Sequence, residues 1–267
     1  MSRRSNVVIK HGQEHRQEFV KLFRKFDHGG HSDWAVWQDF IYMAASALSQ
    51  PCDFRQNRED EYLRIIGKYN KSEQELFPQM LAEVVMSLEQ EKFADVLGDL
   101  YMQLELYNKW KGQFFSPFEI CYMMSALTVG NLKDEIEESG YISVNDCCCG
   151  AGGMLIAFAK HCYEQGVNFQ NHVLFVAQDV DPVVARMCYI QCSLLGMSGY
   201  VIVGNTLLPP EKMNSYDYWY TPMYFSGIWH WRKVWKQMDG LFGKVEGEVV
   251  VEVKSERKGI VLSVGGG

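Results

Sequence analysis

Tyr141-Ile142-Ser143-Val144-Asn145-Asp146-Cys147-Cys148-Cys149-Gly150-Ala151-Gly152-Gly153-Met154 is the stretch that decides the fold of this chain. Tyr141 to Asn145 reads as a short strand and Met154 to Tyr163 as a helix, so the glycines fall in the turn between them. Such a turn bends the backbone tightly and brings main-chain N–H groups at a helix N-terminus within reach of a ligand. Asp146 at the strand end adds a carboxylate suited to an ammonium or hydroxyl-bearing cofactor. Leu155 stands where the third glycine of Gly-x-Gly-x-x-Gly would be, which disfavours a nicotinamide cofactor. The loop also lacks the lysine of a P-loop.

Downstream the pattern repeats. His172 to Ala177 reads as a buried strand, Pro182 to Leu195 as a helix and Tyr200 to Val203 as another strand. Strands alternating with helices of this length predict βαβ units and a parallel sheet. The second strand ends in Gln178-Asp179, where a doubly wound fold hydrogen-bonds ribose hydroxyls. Asp181, just before Pro182, is the better candidate for the helix cap. The third strand ends in Gly204-Asn205-Thr206, and the Asn205 amide has both the donor and the acceptor that an adenine edge needs.

Upstream the periodicity is helical throughout. Phe19, Leu22, Phe23 and Phe26 share a face, as do Trp34, Trp37, Phe40, Ile41 and Ala44, then Tyr62, Leu63, Ile66 and Tyr69. Leu76 to Leu88 continues the pattern, and Ser72 with Glu75 has the form of a capping box. These signals predict an all-helical domain over residues 1–110 and an α/β domain over 111–267. Glu246 to Val253 and Gly259 to Val264 are β-rich and suggest a hairpin.

The 267 residues are 47% hydrophobic and 22% charged, which excludes disorder and low-complexity architecture. A net charge of -7 argues against a free-standing, non-specific nucleic-acid binder, since that binding is driven by cations on phosphates. Adjacent Cys147, Cys148 and Cys149 do not readily pair with one another, and the polar Met1-Ser2-Arg3-Arg4-Ser5 is no secretory signal. The thiols are therefore expected to be reduced and the protein cytoplasmic, with no membrane span. Cys188 and Cys192 lie one helical turn apart beside no histidine and read as core residues rather than metal ligands. Trp229, Trp231 and Trp235, interleaved with Arg232, Lys233 and Lys236, read as a helix packed on the sheet, with stacking on nucleic acid as the rival.

Gly112-Gln113-Phe114-Phe115-Ser116-Pro117, followed by Asp146 to Gly153 and Met154-Leu155-Ile156, resembles the N6-adenine DNA methyltransferases that form the modification subunits of type I restriction-modification systems. The resemblance covers roughly residues 10 to 225. It implies a Rossmann-like S-adenosylmethionine-dependent methyltransferase fold behind a helical N-terminal domain. It also implies that Phe115, Ser116, Pro117, Asp146, Gly150, Gly152, Asp179 and Asn205 hold S-adenosylmethionine. Ser116 replaces the family's Thr, Cys147 its Pro and Ala151 its Ser.

The family's Asn-Pro-Pro-aromatic motif, whose Asn accepts from the target amine, finds its nearest counterpart in Thr221-Pro222-Met223-Tyr224. Thr221, Pro222 and Tyr224 are accordingly the expected catalytic residues, with a hydroxyl in place of the amide. Pro209-Pro210 is the rival, but it lacks a polar acceptor and a ring. The expected function is methyl transfer to the exocyclic amine of adenine in DNA. DNA would be bound weakly alone, with a separate specificity subunit or a second copy as partner. The alternatives are a cofactor-binding subunit that regulates or scaffolds a partner, and a methyltransferase acting on a substrate other than DNA.

Overall fold

The computed structural model describes residues 2–27, 30–106, 115–207, 217–232 and 259–262. Every described element before residue 107 is a helix: α1 (Ser2–Phe23), α2 (Asp33–Ser49), α3 (Gln56–Ile66), α4 (Lys71–Gln74), α5 (Leu76–Gln90) and α6 (Val96–Gln103). Local chemistry sets their starts. The Ser32 hydroxyl accepts from Ala35 N at 3.2 Å at the head of α2, and the Asp95 carboxylate accepts from Gly98 N at 2.9 Å at the head of α6. The capping box lies at Asn70 and Glu73 at the head of α4, not at Ser72 and Glu75. Ser72 instead donates its hydroxyl to the Asn70 side chain at 2.6 Å. Phe19 meets Trp37 and Phe40 edge-to-face, with ring centroids 6.1 and 5.3 Å apart, at the centre of this helical core.

The α/β part follows: α7 (Phe118–Thr128), α8 (Leu132–Ser139), β1 (Ile142–Asp146), α9 (Gly153–Glu164), α10 (Phe169–His172), β2 (Val173–Asp179), α11 (Pro182–Leu194), β3 (Gly199–Val203), β4 (Asp217–Tyr220), α12 (Pro222–Ser226) and β5 (Gly259–Leu262). The sheet order is β4-β3-β2-β1-β5, parallel except where β4 runs antiparallel to β3. The chain steps from β1 through α9 to β2, and through α11 to β3, always in one direction. Right-handed crossovers therefore put α9 and α11 on the same face. These are the parallel βαβ units that the strand–helix alternation predicts, in the α/β, Rossmann-like form that the resemblance implies. α7 packs on α9, and α2 and α6 pack on α11, so the buried apolar core is continuous from the helical region into the sheet.

Gly259–Leu262 lies parallel beside β1, with Asp146 paired to Leu262. Glu246 to Val253 lies outside the described residues. The strand β4 and the helix α8 carry no strong periodicity and were not expected from the sequence. Cys188 and Cys192 are buried core residues with sulfurs 3.8 Å apart. Residues 228–232 are helical; Trp229 is buried with its Nε1 donating to Gln170 O at 2.9 Å, Arg232 lies over its ring at 4.6 Å, and Trp231 is exposed. No described helix is long and apolar enough to cross a membrane.

Candidate cofactor site

The carboxyl ends of β1, β2, β3 and β5 form one edge of the sheet. Asp146 is paired with Ala177 and Leu262, and Asp179 with Val203. The chain winds outward from β1 to β3 and returns to the other side of β1 at β5, so the strand order reverses between β1 and β5. In open parallel sheets a ligand crevice forms outside the carboxyl ends at such a reversal.

The loop after β1 is built by hydrogen bonds to that edge. Cys148 N donates to Asp146 Oδ1 at 3.2 Å, Cys149 N to Gln178 O at 2.9 Å, and Gly150 N to Asp179 Oδ2 at 2.9 Å. Gly152 N closes the turn on Cys149 O at 2.7 Å. Gly150 and Gly152 have φ of +50° and +96°, in the left-handed region. A Cβ on Gly152 would lie 2.8 Å from Cys188 Sγ, and one on Gly150 3.1 Å from the Phe115 ring. Conformation favours glycine at both positions, and at Gly152 the Cys188 sulfur also leaves no room for a side chain. α9 begins at Gly153 with no side-chain cap at Gly152, which leaves its first N–H groups directed at the loop.

The two predicted acids come together here. Asp146 is only 4% exposed; burial and then the nearby Asp179 push its carboxyl up to about 6, although the Cys148 N–H bond opposes this. Burial also raises Asp179, whose oxygens accept from Gly150 N and from Asp181 N, each at 2.9 Å. Asp181 caps α11 by accepting from Val183 N at 2.9 Å, with Pro182 next to it, as the sequence predicts. Asn205 stands at the tip of β3, and its side-chain oxygen accepts from Leu207 N at 2.9 Å. Thr206, which the sequence did not single out, donates its hydroxyl to Cys147 O at 2.8 Å and ties the third strand tip to the loop. Phe115 packs beside Gly150 and meets the buried Tyr101 at a tilt, with ring centroids 5.1 Å apart. Ser116 is half-buried, its carbonyl near Cys121 Sγ at 3.7 Å, and exposed Pro117 opens α7. Gly112, Gln113 and Phe114 lie outside the described residues.

The residues brought together are thus Phe115, Asp146, Gly150, Gly152, Asp179 and Asn205. One buried and one half-buried carboxylate, tied into the glycine loop at the ends of β1 and β2, suit a ligand that carries both positive charge and hydroxyls. These residues fit an adenosyl cofactor with a cationic sulfonium.

Thr221, Pro222 and Tyr224 are not part of this group, which corrects the expectation from sequence. β4 is antiparallel to β3, with Tyr220 opposite Tyr200, so Thr221 lies beside Gly199 at the start of β3. The four residue steps to Val203 place it roughly 13 Å from the carboxyl edge. The Thr221 hydroxyl, only 1% exposed, accepts from Gly199 N at 3.0 Å and donates to Met197 O at 2.8 Å. Pro222 starts α12, and Tyr224 is buried against Tyr200, Tyr220 and Phe225. This segment closes the far end of the sheet. Pro209 and Pro210 lie outside the described residues.

A family model described as N-6 DNA methylase matches residues 92–251, well over half the chain. No curated protein matches. Among solved structures, the chain is similar to a protein of Listeria monocytogenes described as a class I S-adenosylmethionine-dependent methyltransferase. That match has 14% identity and a TM-score of 0.41 and covers 74% of this chain and 56% of the other. The chain is also similar to the type I restriction-modification system methyltransferase subunit from Streptococcus thermophilus. There the identity is 12% and the TM-score 0.38, with 75% of this chain and 60% of the other covered. The chain therefore spans a little over half the length of these two structures.

Proposed function

The chain belongs to the N-6 DNA methylase family, and from that membership we propose that it binds S-adenosylmethionine at the carboxyl edge of its sheet and acts in methyl transfer to the exocyclic amine of adenine in DNA. The observation that carries the cofactor assignment is the bond from Gly150 N to Asp179 Oδ2 within a left-handed glycine loop. It fixes a half-buried carboxylate at the tip of β2, where ribose hydroxyls are held in this architecture. Asp179 has lone pairs left to accept from two vicinal hydroxyls. Asp146 supplies negative charge toward a cation, Phe115 packs over the loop, and Asn205 stands on the adenine side. Ser116 and Pro117 place the start of α7 beside the loop. When bound, the cofactor supplies the methyl group.

One observation favours a second reading, in which the chain binds the cofactor but serves as a partner subunit that does not methylate alone. The segment nearest to the family's acceptor motif, Thr221 to Tyr224, lies at the opposite end of the sheet with its hydroxyl committed to backbone. Calorimetry with S-adenosylmethionine tests the cofactor assignment, and wild-type protein that binds neither it nor S-adenosylhomocysteine refutes it. Transfer of tritiated methyl to DNA, RNA and protein, by the chain alone and with a candidate specificity partner, separates the two readings.

A further inference from the structure

Outside the cofactor edge, Gln191 on α11 is a buried polar group, 0% exposed, with both side-chain polar atoms bonded. Its Nε2 donates to Asp95 Oδ1 and to Ala151 O, each at 2.8 Å, and its Oε1 accepts from Leu97 N at 3.0 Å. Asp95 is itself buried and caps α6 through Gly98 N. Its other oxygen lies 3.3 Å from where a Cβ on Gly153 would sit, at the first residue of α9. One side chain thus joins the last helix of the helical region, α11, and the middle of the glycine loop. The family match begins at residue 92, so Asp95 and α6 lie inside it.

Neither Asp95 nor Gln191 faces the crevice, so the function above does not use them. Yet Ala151 stands between Gly150 and Gly152, the two left-handed glycines whose N–H groups bond Asp179 Oδ2 and Cys149 O, and its own carbonyl is the point at which α11 grips this loop. A left-handed turn of this kind is held by its surroundings rather than by its own preference. Resting on the cofactor reading, we infer that Gln191 is a positioning residue: by anchoring Ala151 O to the Asp95 cap of α6, it holds the loop in its ligand-ready shape and makes cofactor affinity depend on the seating of the helical region. Because the interaction is buried, an unmet partner is costly.

The test uses the full chain. Gln191→Met keeps length and volume while removing donor and acceptor, whereas the control Ile190→Ala removes buried apolar volume from the same helix and no hydrogen bond. Amide hydrogen exchange is followed on cofactor-free protein, and affinity for S-adenosylhomocysteine by calorimetry, beside the thermal midpoint. For Gln191→Met, exchange at Cys149–Gly153 should quicken and affinity fall, each by about tenfold or more. Ile190→Ala should lower the midpoint while leaving the loop's exchange and the folded protein's affinity within about twofold. Unchanged loop protection in Gln191→Met, or loosening in both variants in proportion to their lost stability, overturns the inference.

If Gln191→Met does not fold, Gln191→Glu replaces it. Its carboxyl can donate only while neutral, and the charged groups bearing on it are Asp95 and, acting on Asp95 from beyond, Arg16 and Asp99. Its affinity deficit relative to wild type should narrow as pH falls, and a deficit independent of pH counts against the inference. Wild-type protein that binds no cofactor refutes the proposed function instead, and the exchange measurement on cofactor-free protein still decides the role of Gln191.

Discussion

Asp179 and Asp146 share one edge but are expected to respond differently. Asp179 is held by two main-chain N–H groups, so on the proposed ribose contact Asp179→Ala removes paired hydrogen bonds from a half-buried site. Such losses cost about 1–3 kcal/mol, and cofactor affinity should drop tenfold or more by calorimetry. Asp146 is the pH-sensitive member. Its carboxyl is pushed up to about 6 by burial, so affinity for the cationic S-adenosylmethionine should fall as pH drops through about 6. The same shift has the opposite sign for the cofactor-free protein. A carboxyl harder to ionise in the folded state stabilises the fold below about pH 4, and that stabilisation, on the order of 2–3 kcal/mol, is lost as pH rises through about 6. Thermal midpoints that rise from pH 4 to 6.5 in wild type but not in Asp146→Asn would contradict this assignment. In the same loop, Gly152→Ala meets both a φ of +96° and the Cys188 sulfur.

Among the elements, β4 and α12 matter most because their direction decides what Thr221 can do. The hydroxyl of Thr221 completes the corner where β4 turns into α12 by satisfying Gly199 N and Met197 O. Thr221→Val, which keeps the shape and loses the hydroxyl, leaves both backbone groups buried without that partner. It should cost about 1–3 kcal/mol in chemical denaturation while leaving the affinity of the folded protein for S-adenosylhomocysteine unchanged. A selective loss of methyl transfer without loss of stability would return Thr221 to the chemistry. The strand beside β1 on the side away from β2 is β5, so it is the end of β5, rather than β4, that borders the crevice.

At the scale of the whole molecule, the helical region and the sheet are fastened through Arg58 on α3. Its guanidinium lies 3.6 Å over the Trp219 ring of β4, bonds Tyr218 O at 2.7 Å and Asp217 at 3.1 Å, and reaches Asp53 at 3.2 Å. Arg186 of α11 lies 5.3 Å over the same ring. Arg58→Ala removes a buried cation and strands its partners, so roughly 3 kcal/mol of stability should be lost, read as a lower denaturation midpoint. Arg58→Lys should recover little, since an ammonium cannot serve the fork and the ring together. The net charge of -7 bears on the encounter with DNA. Affinity of the isolated chain should be weak and steeply salt-dependent, and tight sequence-specific binding in anisotropy without a partner would contradict that.

Sequence alone determined what depends on neighbours along the chain. The glycine turn after β1, the acid at the end of β2 and the Asp181-Pro182 start of α11 are local constraints of backbone conformation and capping, so residue type and spacing suffice to locate them. The helical periodicity of the first hundred residues is legible for the same reason. Only the tertiary structure decided strand direction and register. Asp217–Tyr220 has the same residues whether it runs parallel or antiparallel to β3, and pairing with a strand some fifteen residues away leaves no mark in spacing. That direction took Thr221 from the crevice to the far end of the sheet. Likewise Gln191 reads as one polar residue in an apolar helix, and its partners Asp95 and Ala151 lie 96 and 40 residues away in sequence. Its role exists only once the helices pack, because a buried amide takes its meaning from the groups that satisfy it.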